Sequence, residues 1–212
     1  GYANVIWFTG SASNDTLSSA EQAALKAYVN SGGRLIITGQ DIGYNIKNTS
    51  FYKEVIGVKY LKDTSKVKTV TGQDLEFRLD GVDSANNQKY PDVIELNGAE
   101  TLFNYKGKGP AGTLNTYGEG KVAYLAFGFE GIKGATSRDA VLAVLLNSVK
   151  PANSELLDRI RWAFDENREL HSLLIRNFKL TDENREEVEN YLAEAETKTA
   201  FRSILSSLKQ LQ

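Results

Sequence analysis

The sequence predicts an α/β domain followed by an all-α C-terminal region. Residues 5–38 alternate between an apolar run, a stretch with helical spacing and a second apolar run. Continuous apolar runs are typical of strands that are covered on both faces, and a strand–helix–strand unit implies parallel strands joined by a right-handed crossover. After Pro151 the sequence contains no Gly and no Pro and is rich in helix formers.

The composition excludes several classes of function. The formal net charge of −2 over 212 residues provides no broad basic surface for nucleic acid and no polybasic segment for a membrane. No apolar run approaches the length of a membrane-spanning helix. Cys is absent and His171 is the only histidine, which excludes thiolate catalysis and argues against a His-rich metal site. We therefore expect neither a metal nor a cofactor.

The first strand–helix–strand unit has clear boundaries. Residues 5–8 form the first apolar run, and residues 34–38 form the second. Between them, Ser18 and Glu21 have the spacing of a capping box at the start of a helix. The residues Ser31-Gly32-Gly33 then end that helix.

The middle of the chain is β-rich. A short helix is predicted at residues 50–56, and a charged, β-rich insertion follows it. Gly118-Glu119-Gly120 joins the last two strands as a hairpin, and a helix follows at residues 137–148. The predicted strands are residues 58–61, 66–70, 75–79, 101–105, 112–117 and 121–127.

A domain boundary is predicted at residue 150, which gives an α/β domain at residues 1–150 and a helical region at residues 151–212. The helical region contains four segments with an apolar stripe at helical spacing. Such stripes either pack within the chain or lie in a groove of a partner protein. We favour packing within the chain.

Residues 2–149 contain an ordered series of motifs. The series runs NVIWFTG, LSSAEQAALKAYVNSGGRLIITGQDIGY, FYKEVIGVKYL, YPDVIELNGAE and KVAYLAFGFEGI, and ends with a helix that carries Arg138. In this order the residues resemble the class I glutamine-amidotransferase-like domains found in C-terminal regions of secreted bacterial peptidases. The resemblance implies a flavodoxin-like, three-layer α/β/α sandwich with a mostly parallel sheet. It also implies a secreted or extracellular location.

The same resemblance argues against catalysis. Class I amidotransferases place a Cys at the turn after the second strand, where this sequence has Gln40 between Gly39 and Asp41. They place a His and a Glu after a later strand, where this sequence keeps Glu130 but has no His. The nucleophile and the base are both missing, so we assign no catalytic residue.

Polar residues gather at the carboxyl ends of the predicted parallel strands, where α/β sheets bind ligands. Gly10, Ser11, Gln40, Asp41 and Glu130 therefore form a candidate ligand pocket. In the alternative interpretation, Gln40 and Asp41 cap the following turn and helix through hydrogen bonds to backbone amides. Glu130 would then hydrogen-bond Gln40 or its loop.

These observations predict a non-catalytic accessory domain of a secreted bacterial peptidase or related extracellular enzyme. Its role would be structural, or the recognition of a substrate or partner. Two alternatives stay open. One is a carbohydrate-binding module that uses an exposed Tyr, and the other is an unconventional hydrolase that uses Asp41 and Glu130 as a carboxylate pair.

The resemblance also implies that residues 1–150 lack the first strand–helix–strand portion of the domain. The strand at residues 5–8 would then lie at an open sheet edge, with unpaired backbone groups and apolar surface. We predict that this edge is covered by the parent catalytic domain, by another chain that completes the sheet, or by residues 151–212.

Overall fold

The computed structural model describes Tyr2 and residues 4–150. These residues belong to a unit that spans Gly1–Lys150. The predicted helical region, residues 151–212, lies outside the described residues, and its four helices stay a prediction. Within the described part of the chain, no helix is long and apolar enough to cross a membrane.

The described residues form nine strands, three α-helices and two shorter helical turns. The strands are β1 Asn4–Phe8, β2 Arg34–Thr38, β3 Val58–Lys62, β4 Thr69–Gly72, β5 Leu75–Arg78, β6 Val93–Leu96, β7 Glu100–Tyr105, β8 Pro110–Tyr117 and β9 Gly120–Leu125. The helices are α1 Ser19–Asn30, α2 Ile42–Ile46 and α3 Ala135–Ser148, with a π-helical turn at Phe51–Val55 and a 3-10 turn at Phe129–Gly131.

Seven of the strands form one mixed sheet in the order β1-β2-β9-β8-β7-β4-β5. Only the pairs β1–β2 and β2–β9 are parallel. The other four pairs of this sheet are antiparallel. Strands β3 and β6 form a separate antiparallel ribbon. The predicted parallel pairing of the first two strands is confirmed.

The predicted three-layer α/β/α sandwich with a mostly parallel sheet is wrong. The described fold is mostly β, and its mixed sheet forms a half-barrel. Parallel strands need long crossovers, whereas short turns join antiparallel strands. Short turns of this kind join β4 to β5, β7 to β8 and β8 to β9. Gln73 and Asp74 both have positive φ in the turn between β4 and β5, and Gly118 has φ 57° in the turn between β8 and β9.

Two apolar clusters explain why the parallel strands are continuously apolar. Successive side chains of a strand point to opposite faces of the sheet. Leu35 and Ile37 of β2 enter one cluster, together with Val29 of α1. Ile36 enters the other cluster, together with Leu145 of α3. Both faces of β2 are therefore buried.

The second cluster is built largely by the sheet itself. The ring of Phe77 on β5 meets the ring of Phe103 on β7, with centroids 5.6 Å apart. The same ring lies 6.1 Å from the ring of Phe127, just beyond β9. The curvature of the half-barrel brings these strands together, so this core needs only one helix, α3, to close it.

Three short elements were not predicted, namely α2, β6 and the 3-10 turn. They have five, four and three residues, which is too few to show a hydrophobic period. The strand predicted at residues 66–70 begins three residues later and ends two residues later, as β4. The helix predicted at residues 50–56 is present as the π-helical turn.

The capping box at the start of α1 is confirmed. The hydroxyl of Ser18 accepts a hydrogen bond from the backbone N–H of Glu21 at 3.3 Å. The Glu21 carboxylate accepts one from the backbone N–H of Ser18 at 2.7 Å. Each residue thus satisfies a backbone donor that the first turn of a helix leaves unpaired.

Loss of this cap is expected to destabilise the domain. Ser18→Ala removes the acceptor for the Glu21 amide, and we expect the free energy of unfolding to fall by about 1 kcal/mol. Urea unfolding followed by circular dichroism measures the change. Ser19→Ala, one residue further along, is the matched control and is expected to have almost no effect. Equal losses in the two variants would contradict the capping role.

Candidate functional site

Thr38 joins the carboxyl ends of β2 and β9. Its hydroxyl donates a hydrogen bond to the carbonyl of Phe127 at 2.7 Å and accepts one from the N–H of Phe129 at 2.8 Å. This side chain is buried. The turn that carries Glu130 is therefore fixed beside the end of β2, where Gln40 and Asp41 follow.

Gln40 anchors a loop at residues 90–92, which lies about fifty positions further along the sequence. Its side-chain carbonyl accepts a hydrogen bond from the N–H of Tyr90 at 3.0 Å. Its backbone carbonyl accepts one from the N–H of Asp92 at 3.1 Å. Gln40 is almost fully buried. Gln40 stands where class I amidotransferases carry the nucleophile. Here it has a structural role, because it binds residues 90–92.

Glu130 binds the same loop through different residues. Its carboxylate accepts hydrogen bonds from the side-chain amides of Asn87 at 3.0 Å and Gln88 at 3.2 Å. Gln88 also accepts a 2.6 Å bond from the N–H of Gly128. The predicted bond from Glu130 to Gln40 is not among the hydrogen bonds of the described residues. Instead, the two side chains hold neighbouring parts of one loop.

Asp41 lies at the start of α2 but does not cap it. The carboxylate makes no capping hydrogen bond, and only the backbone carbonyl of Asp41 accepts one, from the N–H of Asn45 at 3.1 Å. The capping interpretation is therefore wrong for Asp41. For Gln40, the backbone amide that is bound belongs to Tyr90 rather than to the following helix.

Gly10 and Ser11 form the turn after β1. Gly10 has φ 58°, in the left-handed region that glycine adopts without strain, and Ser11 is exposed. No hydrogen bond within the described residues joins either of them to Gln40, Asp41 or Glu130. A ligand pocket formed by these five residues stays a prediction.

Asp92 is a buried hub that was not recognised in the sequence. Its backbone N–H is shared between the carbonyls of Gln40 at 3.1 Å and Ala126 at 2.9 Å. One carboxylate oxygen, Oδ2, accepts a 2.6 Å bond from the N–H of Gly43 and lies 3.4 Å from the Tyr124 hydroxyl. The other oxygen, Oδ1, has no partner among the described residues. The only signal in the sequence was a lone Asp before a short apolar run.

Gly43 is required at this hub. A Cβ atom added there would clash with the hydroxyl of Tyr52 and would lie 2.8 Å from Oδ2 of Asp92. The close approach lets the Gly43 amide reach the carboxylate. The pair therefore fixes the start of α2 against the loop that leads into β6.

Burial controls the charge of this region. Burial raises the pKa of Asp92 to about 8, and the nearby Asp41 adds to the rise, although the Gly43 N–H opposes it. Burial also raises the pKa of Asp41 to about 6, with a further contribution from Asp63. Asp92 is therefore mostly neutral at pH 7. No group of three or more His, Cys, Asp or Glu residues in the described part of the chain could hold a metal ion.

A cation–aromatic group flanks the same region. The ammonium of Lys47 lies 5.0 Å from the ring centroid of Tyr44 and 4.7 Å from that of Tyr60. The two rings are 6.5 Å apart and nearly edge-to-face. Tyr44 is exposed, as is Tyr90. Such contacts add a modest stabilisation at a surface.

A family model for the beta-galactosidase trimerisation domain of glycoside hydrolase family 42 (GH42) matches residues 15–152. The match covers more than half of the chain, which therefore belongs to this family of trimerisation domains. No curated protein matches the chain.

Solved structures of beta-galactosidases are similar in fold. Gan42B, a GH42 beta-galactosidase from G. stearothermophilus, matches with a TM-score of 0.50 and 20% identity, over 71% of this chain and 22% of that one. The cold-adapted beta-galactosidase from Rahnella sp. R3 matches with a TM-score of 0.48 and 19% identity, over 69% and 23%. This chain thus spans about a fifth of the length of these enzymes.

The predicted resemblance to glutamine-amidotransferase-like peptidase domains is wrong, because the family model that matches residues 15–152 is that of the beta-galactosidase trimerisation domain. The prediction of a peptidase accessory domain is therefore also wrong. The alternatives of a carbohydrate-binding module and of a hydrolase that uses Asp41 and Glu130 are wrong too. Many folds contain a strand, a helix and a second strand that is followed by a glycine-containing turn. The Cys and His that would specify amidotransferase chemistry were absent.

The raised pKa of Asp92 predicts a pH-dependent stability. Between about pH 4 and pH 8 the folded carboxyl keeps its proton while the unfolded one is ionised. The free energy of unfolding therefore falls as pH rises through this window, by at most about 1.4 kcal/mol per pH unit from this group. Asp92→Asn, which has no proton to lose, is expected to flatten the dependence of the melting temperature on pH.

Thermal melts at pH 5, 6, 7, 8 and 9 check this expectation. The exposed Asp74→Asn is the control and is expected to melt with the same pH dependence as the unaltered chain. Asp41 contributes in the same direction in all three proteins, so the comparison isolates Asp92. An unchanged slope in Asp92→Asn would show that this carboxyl does not hold its proton in the folded state.

The anchoring role of Gln40 gives a separate prediction. Gln40→Met keeps the length of the side chain but removes the acceptor of the partly buried bond from the N–H of Tyr90, at a cost of about 0.5–1.5 kcal/mol. We expect faster hydrogen exchange at the Tyr90 amide and a lower free energy of unfolding. Gln73→Met, in an exposed turn, is the control. Unchanged exchange at Tyr90 would contradict the anchor.

Proposed function

We propose that this chain is the non-catalytic trimerisation domain of a glycoside hydrolase of the beta-galactosidase type. The observation that carries the proposal is the family match over residues 15–152. The domain would associate with a catalytic domain of its parent enzyme and with copies of itself. Because the matched enzyme Gan42B is a beta-galactosidase, the parent of this domain would act on beta-galactosides. An extracellular location of the parent stays a prediction.

The arrangement of the carboxylates supports a non-catalytic role. Glycoside hydrolysis usually needs two carboxyl groups that face each other across a substrate. Glu130 is held by two side-chain amides of the loop. Asp92 is fully buried, and Asp41 is nearly so. Two buried carboxyl groups and a third that is bonded to the loop do not form such a facing pair, so hydrolysis would take place in another part of the parent enzyme.

The length of the chain also supports a non-catalytic role. The chain corresponds to about a fifth of each matched beta-galactosidase. The remaining four fifths of such an enzyme are ample for a catalytic domain, whereas residues 4–150 are occupied by the seven-stranded sheet, the β3–β6 ribbon and two apolar clusters. The work of this domain would be to hold subunits together.

Sedimentation velocity of the 212-residue chain tests the proposal. We expect a species of three copies at micromolar concentration, in equilibrium with the monomer on dilution. A parallel assay with a chromogenic beta-galactoside is expected to show no hydrolysis by the chain. A strict monomer at every concentration, or turnover of the galactoside, would contradict the proposal.

A further inference from the structure

The turn between β6 and β7 contains the only Asn-Gly pair in the sequence, Asn97-Gly98. Both residues are exposed. Gly98 has φ 105°, which favours glycine, and a Cβ atom added there would have no neighbour within 4 Å. The peptide bond between the two residues is therefore open to water.

The atoms that would have to react at this turn are weakly held. The N–H of Gly98 has no acceptor among the described residues, whereas the N–H groups of Asn97 and Ala99 both donate to the carbonyl of Gly57, at 2.8 and 3.2 Å. Within the same part of the chain, the Asn97 side chain makes one hydrogen bond, from Nδ2 to the carbonyl of Lys53 at 2.8 Å. A single bond at an exposed turn opens without unfolding of the domain.

We propose that Asn97 is a site of spontaneous deamidation. The backbone nitrogen of Gly98 loses its proton to water and attacks Cγ of Asn97, and Nδ2 leaves as ammonia, which closes a five-membered succinimide. Water then adds to one of the two succinimide carbonyls and breaks its bond to nitrogen, giving aspartate or isoaspartate. Glycine favours the attack because no side chain hinders the approach of its nitrogen. The sum of the steps consumes one water and releases one ammonia, with no oxidation.

The modification acts on the attachment of the β3–β6 ribbon. A carboxylate at position 97 cannot donate to the carbonyl of Lys53, so the bond to the π-helical turn is lost. Isoaspartate also adds a methylene to the main chain between the amides of Asn97 and Ala99, which both hold Gly57. Because Gly57 directly precedes β3, ageing of this turn loosens the point where both strands of the ribbon meet.

Asn115 provides an internal comparison. Its side chain is buried, and its Nδ2 donates to the carbonyls of Glu54 at 2.9 Å and Val55 at 3.0 Å. The residue that follows it is Thr116, whose side chain hinders attack by the backbone nitrogen. We therefore expect Asn97 to deamidate at least tenfold faster than Asn115 in the same folded chain.

Timed incubation of the 212-residue chain at 37 °C tests the proposal. Tryptic peptides 90–106 and 109–121 carry Asn97 and Asn115, and tandem mass spectrometry locates the gain of about 1 Da that replaces an amide by an acid. The rate at Asn97 is expected to be higher at pH 8 than at pH 6, because the attacking nitrogen must lose a proton. Equal rates at Asn97 and Asn115 would overturn the proposal.

An unfolded control separates the sequence from the turn. The same incubation in guanidinium chloride removes the folded turn, and we expect Asn97 to react at a similar rate in both samples. Reaction in the unfolded chain alone would show that the turn protects Asn97, and it would overturn the proposal. Association of copies enters neither measurement, so the result is independent of the proposed trimerisation.

The structural consequence has its own variant. Asn97→Asp reproduces one product and is expected to lower the melting temperature. Asn14→Asp is the matched control, because Asn14 is exposed and its side chain makes no hydrogen bond among the described residues, so only the charge changes. Equal melting temperatures of the two variants would show that the bond to Lys53 does not hold the ribbon, and would overturn that part of the proposal.

Discussion

The burial of one carboxyl group, that of Asp92, constrains the whole end of the sheet. Its backbone N–H reaches the carbonyls of Gln40 and Ala126, which follow β2 and β9. Its side chain fixes the Gly43 amide at the start of α2. Water is excluded, so the charged form is disfavoured and the pKa of Asp92 rises to about 8. The domain thus uses a mostly neutral acid to join two parallel strands, a helix and a loop.

The local elements near the start of the chain could be predicted from the sequence. The apolar run of β2 and the capping box of Ser18 and Glu21 are signals that only nearby residues determine. The arrangement of the sheet could not be predicted, because a short strand such as β6 has no period to recognise. The half-barrel depends on contacts between distant rings, such as those of Phe77 and Phe103. Such contacts leave no pattern in a single sequence.

The candidate site, too, could be predicted only in part from the sequence. Gln40 and Glu130 were correctly placed near the ends of neighbouring strands, because β2 and β9 are adjacent in the sheet. Their actual partners, Tyr90 and the amides of Asn87 and Gln88, lie in a loop whose path the sequence does not reveal. The ligand pocket at this strand end stays a prediction, and two of its side chains, those of Gln40 and Glu130, hold a loop. The shared geometry of α/β units also explains why the family was misassigned.

The proposed function requires that copies of this chain associate with one another. Native mass spectrometry of the 212-residue chain tests it most directly, because it counts copies without assuming a shape. We predict a dominant species with three times the mass of the 23.4 kDa chain, which disappears on dilution in favour of the monomer. A spectrum that contains the monomer alone at every concentration would contradict the proposed trimerisation.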